Sequence, residues 1–116
     1  MSTVLLVTFA LLPDGEAGGD LLVKALAERE VDARWVSWDD PDVDWGDADL
    51  VAVRSTWDYH RRCADFLSWA RAVEPRTRLL NGADVFAWNA DKAYLPAIAD
   101  RLPVVPSLLA DDSDLV

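Results

Sequence analysis

The sequence predicts an α/β domain in which a parallel sheet of about five strands lies between layers of helices, and three observations predict it. Runs such as Thr3 to Phe9 and Leu50 to Val53 are continuously apolar, the pattern of strands covered on both faces. Between such runs lie stretches with apolar residues at three- and four-residue spacing, as in helices with one buried face. The chain of 116 residues is 52% hydrophobic and 28% charged, which suits one domain with a real core and is too apolar for disorder.

Thr3 to Phe9 is the first strand, and Pro13-Asp14-Gly15-Glu16-Ala17-Gly18-Gly19-Asp20 breaks regularity after it. Asp20 is suited to cap the helix that follows, in which Leu22, Ala25 and Leu26 share a face and which ends near Glu30. Val31 to Trp38 alternates, with Val31, Ala33, Trp35 and Ser37 on one side, as a second strand does. Leu50 to Val53 is the third strand, and His60 to Glu74 a helix with Cys63, Phe66, Leu67 and Ala70 on one face, stopped by Pro75. Thr77 to Leu80 reads as a short fourth strand, Asn81-Gly82 as a turn and Ala83 to Trp88 as a turn or two of helix. A helix from Asp91 to Arg101 and a fifth strand at Val104-Val105 complete the series. Strand and helix thus alternate with right-handed crossovers, a three-layer Rossmann-like or flavodoxin-like arrangement.

Composition narrows the function classes. Against 11 Lys+Arg stand 21 Asp+Glu, a formal net charge of -10, which repels phosphate backbones and anionic lipid and excludes nucleic acid and membrane as partners. The single cysteine, Cys63, forms no internal disulfide and fits a reducing, cytoplasmic compartment. Val4 to Leu12 lacks a basic flank and ends at Pro13-Asp14-Gly15, so it is a core strand and its exit, not a signal peptide. Six Asp between Asp39 and Asp49 lack calcium-loop spacing and mark a solvated loop, anchored by Trp45. Gly15, Gly18 and Gly19 do not form the dinucleotide-binding G-x-G-x-x-G, and neither a Walker A loop nor a G-x-S-x-G elbow is present. One histidine, His60, leaves no room for a Ser-His-Asp triad. Asp58 follows the third strand as a receiver-domain aspartate would, yet the acidic pair after strand one and the Lys after strand five are missing.

The densest chemistry is Arg54-Ser55-Thr56-Trp57-Asp58-Tyr59, directly after the third strand and therefore at the carboxyl edge, where open α/β sheets bind ligands. A second stretch runs Asn81-Gly82-Ala83-Asp84-Val85-Phe86-Ala87-Trp88-Asn89-Ala90-Asp91-Lys92-Ala93-Tyr94-Leu95, followed by Leu102-Pro103-Val104-Val105-Pro106-Ser107. It resembles the segment by which ATP-grasp ligases leave their N-terminal domain: an Asn ending a strand, a short helix, Asp-Lys opening another, then a Pro-Val-x-Pro-Ser/Thr strand. Together with Arg54 to Tyr59, Phe66 and Trp69, it is similar to the branch near glutathione synthetase and the ribosomal-protein-S6 modification enzymes, which includes the cyclo-ligase that closes O-ureidoserine. Gly82 stands where that family usually has Pro, and Leu102 where it commonly has Gly.

The resemblance implies a pre-ATP-grasp domain over residues 1–107 and, over 108–116, the start of a linker to an ATP-grasp domain that this chain does not contain. Such ligases form a carbon–nitrogen bond by phosphorylating a carboxylate with ATP and letting an amine attack the acyl phosphate. The resemblance therefore implies ATP and Mg²⁺ for a full-length parent, and no cofactor and no activity for this chain alone. The implied partners are a small amino-acid-like substrate and the ATP-grasp domains. The family's Asp-Lys places Lys92 on an ATP phosphate, where the alternative is a solvated Lys in a first helical turn. The implied substrate contacts are Arg54, Ser55, Thr56 and Asp58. Arg54 is suited to a carboxylate by a bidentate fork and Asp58 to an amine; alternatively the two pair with each other, with Asp58 as an N-cap. Ser55 and Thr56 are hydrogen-bond donors or caps, and Trp57 and Tyr59 packing residues or, alternatively, ligand platforms. Asp14, Glu16 and Asp20 share the same edge and could meet a cationic substrate group. The rival reading is a free-standing Rossmann-like binding module without catalysis.

Overall fold

In the computed structural model, which describes residues 2–90, the chain alternates strand and helix as its apolar pattern requires. Strands β1 (Ser2–Thr8), β2 (Val31–Ser37) and β3 (Leu50–Ser55) form a parallel sheet in the order β2-β1-β3. Helix α1 (Gly19–Ala27) joins β1 to β2, while α2 (Cys63–Val73) and α3 (Ala83–Ala90) follow β3.

Alternate residues of each strand enter two different apolar clusters. Leu5, Val7 and Val51 pack with Phe66, Ala70 and Val73 of α2 and with Trp38, Trp45 and Leu79. Leu6, Ala33 and Ala52 pack with Leu22, Val23 and Leu26 of α1 and with Trp35. The sheet is thus covered on both sides, which is why its strands read as continuous apolar runs. Val7 and Val51 are fully buried, and each such side chain stabilises the fold by about 1.5–3 kcal/mol. Trp45 anchors the Asp-rich loop as its sequence suggests, packing edge-on to Trp69 at 5.1 Å.

Several boundaries differ from the sequence-based expectation. Gly18, at φ +83°, occupies the position before α1, and Asp20 lies inside the first turn instead of capping it. Two things favour glycine where the helix begins: the left-handed φ of Gly18, and the Trp35 indole against Gly19, where a Cβ would come within 2.9 Å of the ring. The stretch from His60 splits into a 3₁₀ turn at Tyr59–Arg61 and α2 proper. The expected fourth strand shrinks to a single parallel bridge between Val51 and Leu79, held by Val51 N donating to Arg78 O at 2.8 Å and Leu80 N to Val51 O at 2.9 Å. Asn81 and Gly82, at φ 72° and 82°, turn the chain at once into α3 and leave no length for a ladder. The described sheet therefore has three strands, not five, and the helix and strand expected at Asp91 to Arg101 and Val104-Val105 lie outside the described residues. No helix among the described residues is long and apolar enough to cross a membrane.

Candidate functional site

β3 runs two residues further than its apolar core, so Arg54 and Ser55 belong to the strand itself. The register between β1 and β3 then breaks: Val7 faces Val53, but Thr8 faces Ser55. Arg54 is the extra residue of a β-bulge. Bulges re-aim side chains next to functional sites, and this one leaves Arg54 exposed while Ser55 and Thr8 are both fully buried.

Glu16 joins these groups from the loop between β1 and α1. Its Oε1 accepts from Arg54 Nε at 3.1 Å and Nη2 at 2.8 Å, and its Oε2 accepts from the Ser55 hydroxyl at 2.7 Å. The Ser55 Oγ also lies 3.2 Å from Thr8 Oγ1, but its one proton goes to the nearer carboxylate. Thr8 in turn donates to Leu12 O at 2.7 Å. Partial burial is the largest single influence on the Glu16 carboxyl and opposes its ionisation. The hydrogen bonds from Ser55, its own backbone and Arg54, with the Arg54 charge, together outweigh that and hold it below its ordinary value.

Glycines bring Glu16 there. Gly15, at φ +83°, has the Trp35 ring in contact with its α-carbon face, so any Cβ would overlap the indole. Trp35 Nε1 donates to Gly19 O at 3.2 Å, and successive turns close from Leu12 N to Phe9 O at 3.0 Å, Gly15 N to Leu12 O at 2.9 Å and Gly19 N to Glu16 O at 2.9 Å. Of the three glycines, which fail the dinucleotide pattern, Gly15 and Gly19 serve close packing of this loop on Trp35 of β2, while Gly18 serves only its left-handed turn.

Asp58 belongs to a neighbouring cluster. It accepts from Trp38 Nε1 at 3.1 Å and lies 3.6 Å from Arg62, whose Nη1 is 2.6 Å from Asp39 Oδ2. The pairing of Arg54 with Asp58 therefore does not form, because each has a nearer partner of opposite charge. Asp58 stands at the N-cap position of the 3₁₀ turn but makes no side-chain cap there. The Arg62 guanidinium lies over the Trp38 ring, 4.4 Å from its centroid. Hydrogen bonds from Arg62 and Ser37, opposed by partial burial, hold the Asp39 carboxyl below its ordinary value.

Thr56 is buried and lines a cleft of about 210 Å³ with Val53, Tyr59, Phe66, Phe86, Asn89 and Ala90. Tyr59 packs on Phe66, as expected, whereas Trp57 is exposed and meets only the edge of the core through Phe9, 6.1 Å between ring centres. Asp14 and Asp20 are exposed on the same edge, outside the Glu16 cluster. Lys92 lies outside the described residues. Among the described residues no three His, Cys, Asp or Glu side chains converge as metal ligands.

Glu16 and Arg54 are 38 residues apart, and only the β1–β3 pairing brings them together. The sequence signal is indirect: of the glycines on either side of Glu16 that have no phosphate to bind, Gly15 and Gly19 pack closely on Trp35, and the residue between them is then fixed. Trp38 and Arg62, which hold Asp58, carried no signal of that role.

Comparison with known proteins agrees with this architecture. The family described as "D-cycloserine synthetase DcsG, N-terminal domain" matches residues 4–81. The cycloserine biosynthesis protein DcsG of Streptomyces lavendulae is 34% identical over 95 residues, 80% of this chain and 32% of that protein. The crystal structure of D-cycloserine synthetase DcsG superposes with a TM-score of 0.77 at 32% identity, over 85% of this chain and 33% of that one. The chain thus spans about a third of the length of the proteins it matches. With most of β1 through the Leu79 bridge inside the matched segment, the chain belongs to the family of D-cycloserine synthetase N-terminal domains.

Proposed function

We propose that the chain supplies the substrate wall of an ATP-dependent ligase that joins a carboxylate to an amine, with residues 1–107 as its pre-ATP-grasp domain. One observation carries this reading: at the sheet edge of a synthetase-family domain, a bulge presents Arg54 with two of its five N–H donors on Glu16 and three without a partner among the described residues. A planar guanidinium with open donors is matched to a carboxylate, the group that such a ligase activates. Thr56 continues the wall through the cleft it lines, while the Ser55 hydroxyl, fully buried and donated to Glu16, braces the wall from behind instead of contacting substrate. Asp58, held by Trp38 through Oδ1, keeps only Oδ2, 3.6 Å from Arg62, for a substrate amine, and is therefore the weaker part of the wall.

The substrate is a small amino-acid-like molecule, and the ATP-grasp domains of the same polypeptide are the partner. ATP, with Mg²⁺ and with Lys92 on a phosphate, would drive the carboxylate activation; the residues described here bind and orient. The test is ADP release by the complete polypeptide encoded by the gene, across a panel of amino acids and amines. Release that depends on an amino acid supports the reading, and none across the panel overturns it in favour of a free-standing binding module. The 116-residue chain alone is expected to bind no ATP by calorimetry; tight binding would mean that the nucleotide site is misplaced.

A further inference from the structure

We propose that Glu16 is a positioning residue for Arg54: it fixes the plane of the guanidinium so that the open donors meet a ligand carboxylate, and it touches no ligand itself. This rests on the substrate-wall reading above. Arg54 is an exposed residue at a bulge, with half of its side-chain surface in solvent, and a long side chain so placed would sample many rotamers. Two of its nitrogens converge on one Glu16 oxygen, at 3.1 and 2.8 Å, and because the guanidinium is planar this fixes its orientation. The second oxygen is tied to Ser55, which is fully buried in β3 and cannot follow the loop outward.

Two other roles for Glu16 do not fit. As a reader of a substrate ammonium it would need free lone pairs, but Arg54, Ser55 and its own backbone already donate to it. As a gate that a ligand carboxylate displaces, it would need a yielding loop. That loop is closed by consecutive turns, tied through Thr8 to Leu12 O, and packed by Gly15 and Gly19 on Trp35. Displacement is also unnecessary, since three N–H groups of Arg54 have no partner among the described residues. Holding the donors in place before binding favours affinity by removing the ordering cost from the binding step.

The test is titration of the full chain with D-serine, whose carboxylate stays ionised well into acid, followed at the Arg54 Nε–H resonance by NMR. In Glu16→Gln, which keeps size and shape, affinity is expected to fall about tenfold, the loss of one charge-assisted hydrogen bond, with the amide shifts of the sheet unchanged. Unchanged affinity in that variant overturns the positioning role, and tighter binding overturns it in favour of a gate. Should Glu16→Gln not fold, the wild type decides: a slowly exchanging Arg54 Nε–H supports the fixed guanidinium, and a rapidly exchanging one overturns it. A wild type whose Arg54 resonance ignores D-serine overturns the proposal along with the wall. Failure of the ligase reading is distinguishable, because it appears as missing ADP release and leaves the Arg54 response to D-serine and its Glu16 dependence in place.

Discussion

Two arginine–carboxylate pairs stand at the carboxyl edge of this sheet, Arg54 with Glu16 and Arg62 with Asp39, at 2.8 and 2.6 Å. By distance and exposure they are similar, with guanidinium side chains 49% and 41% exposed. Their surroundings differ. Arg62 lies on the Trp38 ring with a second carboxylate, Asp58, 3.6 Å away, and Trp38 donates to that same Asp58. Trp38 is itself buried, edge-on to Phe66 and Trp69, so the Arg62 cluster closes on itself and fastens the start of α2 to the end of β2. Among the described residues Arg54 has one acidic partner and no aromatic platform, and its bulge turns it out of the ladder. The comparison teaches that an exposed ion pair is informative through what its remaining donors face: aromatic and acidic groups in one case, no partner among the described residues in the other.

The most severe way to break the comparison is Trp38→Ala, which removes the platform of Arg62 and a large buried side chain. It is expected to destabilise the protein by about 3–5 kcal/mol in urea unfolding, while leaving D-serine binding at Arg54 intact in the molecules that remain folded. Loss of both together would show that the two clusters are one unit. The loop that carries Glu16 is probed next. Gly15→Ala forces a Cβ into Trp35 at φ +83° and is expected to cost about 2–4 kcal/mol, whereas Gly18→Ala, at the same φ with nothing within 4 Å, costs about 1 kcal/mol. Equal costs would mean that Trp35 does not hold the loop.

Acid sharpens the contrast further. Glu16 and Asp39 both have carboxyls lowered in the folded state, so each contributes stability that is present above its unfolded value and lost as pH falls through the folded one. Both pairs are substantially exposed, which makes the contribution modest. The urea midpoint should therefore decline between neutrality and about pH 3, with Glu16→Gln and Asp39→Asn each flattening part of the decline. A decline unchanged in both variants would place its origin in other carboxylates. The smallest effect belongs to Arg71→Ala: its partner Asp84 is 3.3 Å away and 96% exposed, and a loss under about 0.5 kcal/mol is expected. A larger loss would show that exposed pairs in this protein matter without a buried platform.

Much of the fold was legible because period and composition report burial directly. Val7 and Val51 sit in continuous apolar runs and are buried as that pattern requires, and of the helix face Cys63, Phe66, Leu67 and Ala70, Phe66 and Ala70 are buried and Cys63 and Leu67 half-buried. Strand ends were less legible. Polar residues at the end of β3 looked like a loop, since a bulge that adds one residue to a ladder has no signature in a single strand. Thr77 to Leu80 looked like a strand, but Asn81 and Gly82 turn the chain before a ladder can form.

At the candidate site the residue types of Arg54, Ser55, Thr56 and Asp58 announced chemistry, and their position after an apolar run placed them at the ligand edge. Their partners could not be read the same way. Asp58 is four residues from Arg54 and also four from Arg62, and sequence spacing weighs the two alike; the bulge and the Trp38 ring separate them.

The sequence by itself determined that this protein is a parallel α/β domain with a charged strand exit, because covered strands must be apolar throughout and amphipathic helices must repeat at their own period. Only the tertiary structure decided that Glu16 holds Arg54 and that Asp58 belongs to Arg62. Those pairings depend on which strands are neighbours and on a one-residue shift in their register, and neither quantity is a property of any local stretch of chain.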